Sequence, residues 1–183
     1  MRHLIGAFNE ADWKKLYKQA YDNLAPGGWI EHLEEDISIC CDDNTLPANS
    51  ILRDATFGDM LHRAGNKAGR PLDNFDHMKS RIEAAGFTDV QEQLYKIPFG
   101  SWPKHQVYKD AGRVNSRVWK QGLEGWCMWL LTTSGEPKPW SLEEVNVWLQ
   151  KVRKEIDNPG YHCYQKARRV WARKPFAVKA GED

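Results

Sequence analysis

One junction constrains this chain more than any other feature: an amphipathic helix that runs into Pro26-Gly27-Gly28 and emerges as a strand. Over residues 12–24, Trp13, Leu16, Tyr17, Ala20, Tyr21 and Leu24 recur at helical spacing, with Lys14, Lys15, Lys18 and Gln19 opposite. One stripe of that helix must therefore find apolar cover. Proline has no N–H to extend the helix, and the glycines that follow permit a reversal closed to side chains with a Cβ. Trp29-Ile30-Glu31-His32-Leu33-Glu34 then reads as a strand. A helix that delivers its chain directly into a strand predicts an α/β architecture.

The downstream sequence continues the pattern. Residues 46–68 are helical in spacing but less regular, and Gly69-Arg70-Pro71 stops them; an insert or cap is expected there. Asp76 is placed to cap a helix over 78–85, with Gly86 at the position after its end and Phe87 folding back on the last turn. A second strand is expected over 90–97, broken by Pro98-Phe99-Gly100-Ser101-Trp102-Pro103. Trp119, Leu123, Trp126 and Leu130 then form a helical stripe that Trp129 widens. Ser141 and Glu144 make a capping box flanked by Trp140 and Val145 at staple positions, and Val145, Trp148, Leu149, Val152 and Ile156 give the helix one buried face. After Asn158-Pro159-Gly160, residues 162–174 read as a last strand in which Val170 and Ala172 alternate with Arg169, Trp171 and Arg173.

Composition narrows the function. With 183 residues the chain is the size of one domain, and 26 basic against 25 acidic side chains give no field to gather nucleic acid or an anionic membrane. The basic residues Lys166, Arg168, Arg169, Arg173 and Lys174 read as a solvated strand face. Cys40, Cys41, Cys127 and Cys163 include no CxxC pair, so neither a zinc site nor a disulfide framework is expected. No apolar run reaches the roughly 18 residues of a membrane span, and a soluble, cytoplasmic protein is the expectation.

Leu24-Ala25-Pro26-Gly27-Gly28-Trp29 and the helix end Ala85-Gly86-Phe87-Thr88-Asp89-Val90, in this order of elements, resemble the second half of class I S-adenosylmethionine-dependent methyltransferases. Met1-Arg2-His3-Leu4, Asp12-Trp13, Gly28-Trp29-Ile30-Glu31, Gly69-Arg70-Pro71, Trp102-Pro103, Gly122-Leu123-Glu124, Trp140-Ser141-Leu142-Glu143-Glu144 and Arg173-Lys174-Pro175 look like a fungal family of secondary-metabolism methyltransferase-like proteins. The resemblance implies a single domain over 1–183, a reduced sheet of about three strands packed by helices, and an α-helical cap formed by segments near 46–72 and 103–158. It also implies a Gly-rich cofactor half upstream. This sequence contains no GxGxG, and Gly27-Gly28 sits at the partly negative carboxyl end of a helix. No cofactor is therefore expected for this chain, and S-adenosylmethionine only if that half is supplied.

Candidate site residues follow from chemistry and from the resemblance. Glu34, Glu35 and Asp36 would lie beyond the carboxyl end of the first strand, where open α/β sheets hold ligands, and crowded acids suit acid–base work. His3, where the family chain nears its ligand, is a candidate base or donor; His32 reads as a structural histidine within a strand, and His162 has no identifiable partner. Trp102, Trp119, Trp126 and Trp129 crowd into the segment that caps the substrate in the family, and such aromatic walls suit a hydrophobic small molecule. The expected function is binding of that molecule with cofactor-independent cyclisation or isomerisation; the alternatives are a truncated methyltransferase fragment, inactive alone, and a non-catalytic interaction module. The open edge of the strand near 29–34 should be covered by the N-terminal segment or by a second copy, and a homodimer is the favoured form.

Overall fold

The junction forms as the sequence predicts. Helix α1 (Glu10–Asn23) starts where the Asn9 side chain accepts from the Asp12 N–H, and it ends at Leu24, whose extended backbone leads out. Gly27, at φ 79°, makes the turn, and strand β1 (Trp29–Cys41) follows. The computed structural model describes residues 1–53 and 56–177. After β1 come α2 (Gly58–Lys67), α3 (Asn74–Ala84), β2 (Thr88–Pro98), α4 (Gln106–Ser134), α5 (Leu142–Ile156) and β3 (Cys163–Arg173).

The last strand is the middle one. The sheet order is β1-β3-β2, with β3 antiparallel to both neighbours, so β1 and β2 run parallel to each other. Trp29 stands opposite Arg173 and Cys41 opposite Cys163, with a register shift in β1 between Glu35 and Ile39. The result is the expected α/β fold, a three-stranded sheet packed by helices.

Alternation along β3 divides the core in two. Val170 and Ala172 point to one face, where they bury with Ile30, Trp13, Tyr17, Met78, Ile82 and Phe87 beneath α1 and α3. Cys163 points to the other face and joins Ile37, Ile39, Trp119, Leu123, Leu131, Val145 and Leu149 beneath α2, α4 and α5. The two cores therefore sit on opposite faces and towards opposite ends of the sheet. Each fully buried aliphatic or aromatic side chain contributes about 1.5–3 kcal/mol. Where the second core does not reach, the arginines of β3 lie over aromatic rings, Arg173 at 4.7 Å from the Trp29 ring and Arg169 at 4.9 Å from that of Trp171. Arg169 also donates to Glu31 at 2.8 Å.

Three expectations need correction. Strand β1 does not end near Glu34 but runs on to Cys41, because Ile37 and Ile39 restore apolar alternation after the acidic residues and bury in the second core. Asp76 does not cap α3: the helix starts at Asn74, Asp73 holds the capping position, and Asp76 lies in the first turn, where its charge suits the helix dipole. Within 46–68 only Gly58–Lys67 is helical; residues 47–53 turn back on themselves through bonds such as Ser50 N–H to Pro47 O, and residues 54 and 55 lie outside the described residues. The capping box at Ser141 and Glu144 is formed, both of its hydrogen bonds included.

The free edge of β1 is covered in part by its own chain. Leu33 N–H donates to Met1 O at 3.0 Å and His3 N–H to Leu33 O at 3.3 Å, a short parallel bridge centred on Arg2 and Leu33. Three residues suffice for this cover, although residues 1–8 are short. Among the described residues no helix is long and apolar enough to cross a membrane.

Candidate functional site

The acidic residues stand at the register shift, and the shift gives them their surroundings. Residues 36–38 have no pairing partner on β3, so β1 bulges there. The site lies against the middle of a strand in an antiparallel arrangement, which corrects the expectation that the acids would follow a strand's carboxyl end. Glu34, Glu35, Asp36 and Ile37 form one wall of a trough of about 830 Å³, closed on the other side by α4 and at one end by His3, Ile5, Arg70 and Leu72.

Glu34 is buried completely, as is His32 two residues earlier on the same face of β1. The Tyr17 hydroxyl lies 2.7 Å from His32 Nδ1, and His32 Nε2 lies 3.3 Å from Glu34 Oε2, which accepts from the Leu4 N–H at 2.9 Å. A buried polar line thus runs from α1 through β1 to the N-terminal segment. Glu34 Oε1 has no hydrogen-bond partner among the described residues, and the His32 Nε2 approach is off the line of a hydrogen bond. Burial pushes the Tyr17 hydroxyl well above its ordinary range, so it remains protonated. His32 has the structural role its strand position implies, but its partnership with Glu34 was not foreseen. The i, i+2 spacing of the two on one strand face was the available signal.

Glu35 is half-buried on the opposite face. His3 Nδ1 lies 3.6 Å from Glu35 Oε2, and His3 occupies the left-handed region at φ 52°, an uncommon conformation for a residue with a side chain. Burial raises the Glu35 carboxyl above the ordinary carboxylate range, the charge of Glu34 adds to the rise, and His3 opposes it. Asp36 is tied to the bulge by accepting from the Ser38 N–H at 2.9 Å.

Helix α4 supplies the apolar wall. Ala111, Val114 and Val118 follow at helical spacing and lead to Trp126 and Trp129. Gly122 has no Cβ, and one placed there would stand 3.2 Å from the Trp126 indole, so the bare backbone lets that ring lie along the helix. Trp119 is buried, with Nε1 donating to Gln165 Oε1 at 2.8 Å and ring contacts to Phe57, Phe99 and Trp126. Trp126 and Trp129 are 43% and 55% exposed.

Of the residues singled out from sequence, the fold brings together His3, Glu34, Glu35, Asp36, Trp119, Trp126 and Trp129 around this trough. Trp102 is elsewhere: its Nε1 donates to Cys163 O at 3.0 Å and its ring stacks on His162. His162 in turn bonds Asp43. Sequence reasoning missed Arg70, Asn115, Gln165 and the Ala111, Val114, Val118 stripe. The stripe was legible as apolar spacing ahead of Trp119; Arg70 stood in the Gly69-Arg70-Pro71 motif without a site role, and Asn115 and Gln165 carried no motif. Among the described residues no group of His, Cys, Asp and Glu is arranged to hold a metal.

No protein-family model matches the chain. It is 36% identical over 165 residues to the secondary metabolism regulator LAE1 of Cochliobolus heterostrophus, which covers 89% of this chain and 52% of that protein. It is 33% identical to methyltransferase pytC of Aspergillus terreus, over 96% of this chain and 52% of that one. It is 31% identical to the probable methyltransferase tdiE of Emericella nidulans, over 91% and 51%. The chain thus spans about half the length of the curated relatives it matches. Among solved structures, phosphoethanolamine N-methyltransferase 2 of Haemonchus contortus, in complex with phosphomonomethylethanolamine and S-adenosylhomocysteine, aligns with 95% of this chain and 32% of its own at 14% identity and a TM-score of 0.42.

Proposed function

This chain belongs with the fungal secondary-metabolism methyltransferase-like proteins, of which it spans about half the length, and we propose that it is the part that holds a hydrophobic small molecule. The observation that carries the proposal is the trough: an apolar wall from α4, with two half-exposed tryptophans, faces a short polar wall from β1. Ligand sites combine such walls, apolar surface for affinity and a few polar groups for orientation.

S-adenosylmethionine, the cofactor that the methyltransferase resemblance implies, finds no GxGxG turn in this chain. Gly27 and Gly86 have positive φ but stand at helix carboxyl ends, and the bare face of Gly27 is taken by the Phe176 ring. We derive no step through that cofactor. The chemistry within reach of the described residues is proton transfer. Glu35 and His3 face each other across 3.6 Å at the trough, so one can accept a proton from a bound molecule while the other returns one at a different atom, which is an isomerisation or the closing step of a cyclisation. Shape and exclusion of water by Trp126 and Trp129 would hold the reactive conformer.

A second reading, half of a methyltransferase, is favoured by the half-length coverage of the relatives. Incubating the chain with extracts of a producing fungus, followed by mass spectrometry, separates the two. A product isomeric with its precursor, formed without S-adenosylmethionine and lost in Glu35→Gln, supports the first. A product one methylene heavier, formed only with S-adenosylmethionine, replaces it with the second. We further propose that a second copy pairs along the part of the β1 edge that Met1 to His3 leave uncovered, which a concentration-dependent sedimentation coefficient would reveal.

A further inference from the structure

The hydrogen-bonding inventory of the trough is unbalanced, and the imbalance selects a ligand. Most donors that face it are engaged. Asn115 donates to Pro98 O, Gln165 to Asp36 O, and an Arg70 guanidinium nitrogen to Ala7 O at 2.8 Å, while His3 faces Glu35. Acceptors remain. Glu35, half-buried on the trough side of β1, meets His3 at 3.6 Å and Gln165, and Glu34 lies buried behind it, with Oε1 unpartnered among the described residues. The charged groups on the wall are Glu34, Glu35 and Asp36 from β1, Asp110 from α4, Arg70 ahead of α3, and His3. Asp110 is held by Gln106 and Arg113, so the surplus is acidic and lies beside the β1 bulge.

Resting on the reading of the trough as a small-molecule site, we propose that its preferred occupant is a lipophilic amine. The apolar body lies along Val114, Val118, Trp126 and Trp129, and the ammonium donates to the Glu35 carboxyl. An ammonium brings a charged donor to this carboxyl, and a hydrogen bond between charged partners is about twice as strong as a neutral one. An anionic ligand would meet Glu35 and Asp36, and a neutral one would bring Glu35 no charged donor.

Three probes of one shape test the proposal: naphthylethylamine, naphthylethanol and naphthylpropionate, each titrated calorimetrically into the whole chain. The amine is expected to bind about tenfold more tightly than the alcohol, and the propionate most weakly. Glu35→Gln should shrink the amine's advantage over the alcohol. Because Glu34→Gln alters a buried position, its fold is checked by circular dichroism and Glu35→Gln carries the comparison. Equal or tighter binding of the alcohol overturns the amine proposal and keeps the trough as a site. No binding of any probe at millimolar concentration, to the chain or to Trp126→Ala, overturns both.

Discussion

The two faces of the sheet use the same residue types to opposite ends. Beneath α1 and α3, Trp13 and Tyr17 are fully buried, Trp13 stacks on Tyr17 at 5.8 Å, and the polar groups of Tyr17 and His32 find each other. Beneath α4, Trp119 is as buried as Trp13, but Trp126 and Trp129, on the same helix, are about half exposed and line a trough shared with acidic residues. A tightly packed face gains stability from every contact it closes. A face that leaves aromatic surface open across from a half-buried carboxyl forgoes some of that stability, and ligand sites characteristically accept such a loss.

The contrast can be broken most directly along α4 itself. Trp119→Ala removes a buried ring and strands Gln165, and should cost about 3–5 kcal/mol in chemical denaturation. Trp129→Ala, at 55% exposure, should cost under about 1 kcal/mol. Similar costs for both would make the whole stripe core and remove the trough. Within the closed face, Tyr17→Phe should cost about 1–3 kcal/mol, because His32 Nδ1 then loses its partner in a site that water does not reach. A change near zero there would mean that the polar line through Glu34 is not coupled to α1. Trp126→Ala sits between these cases, with a stability loss expected near that of Trp129→Ala, but with probe binding reduced at least several-fold in calorimetry.

The sequence carried the parts that depend on periodicity and punctuation. The α1 stripe, the Pro26-Gly27-Gly28 turn, Gly86 at φ 101° and the Ser141 capping box are local patterns with one physical reading each. The length of β1 was not legible, because Glu34, Glu35 and Asp36 look like a solvated turn until the bulge and the apolar pair Ile37 and Ile39 are seen to continue the strand. The cover of Leu33 by Met1 and His3 was foreseen only as one of two possibilities, since pairing of distant segments leaves no mark on spacing. For the site, residue types pointed to His3, the acids and the tryptophans, yet Trp102 shares its type and segment with the others and faces Cys163 and His162 instead. Direction is set by which turn of the chain a residue occupies, and the loop holding Trp102 has no period from which to read it.

The smallest expected effect separates the two faces by sign. On a closed face, replacing a partnered polar group destabilises; on the open one, Glu35→Gln should stabilise at neutral pH. The Glu35 carboxyl titrates above its ordinary value, chiefly because of burial and next because Glu34 is adjacent, against the opposing pull of His3. The folded chain then holds that proton at pH values where the unfolded chain has released it. Stability from this group is complete below the unfolded value near 4.5 and is lost as pH rises through the folded one. Glutamine keeps the side chain neutral at every pH, so the variant escapes the loss. The melting temperature of Glu35→Gln should exceed that of the unmodified chain at pH 7, and the gap should narrow as pH falls towards 4. Scanning calorimetry across that range checks both features. A variant that melts lower at neutral pH would mean that the attraction between Glu35 and His3 outweighs burial and the charge of Glu34, and the acidic wall would then be a structural pair in balance. A stabilised variant that also loses its preference for the amine probe would show one carboxyl opposing the fold and serving the ligand.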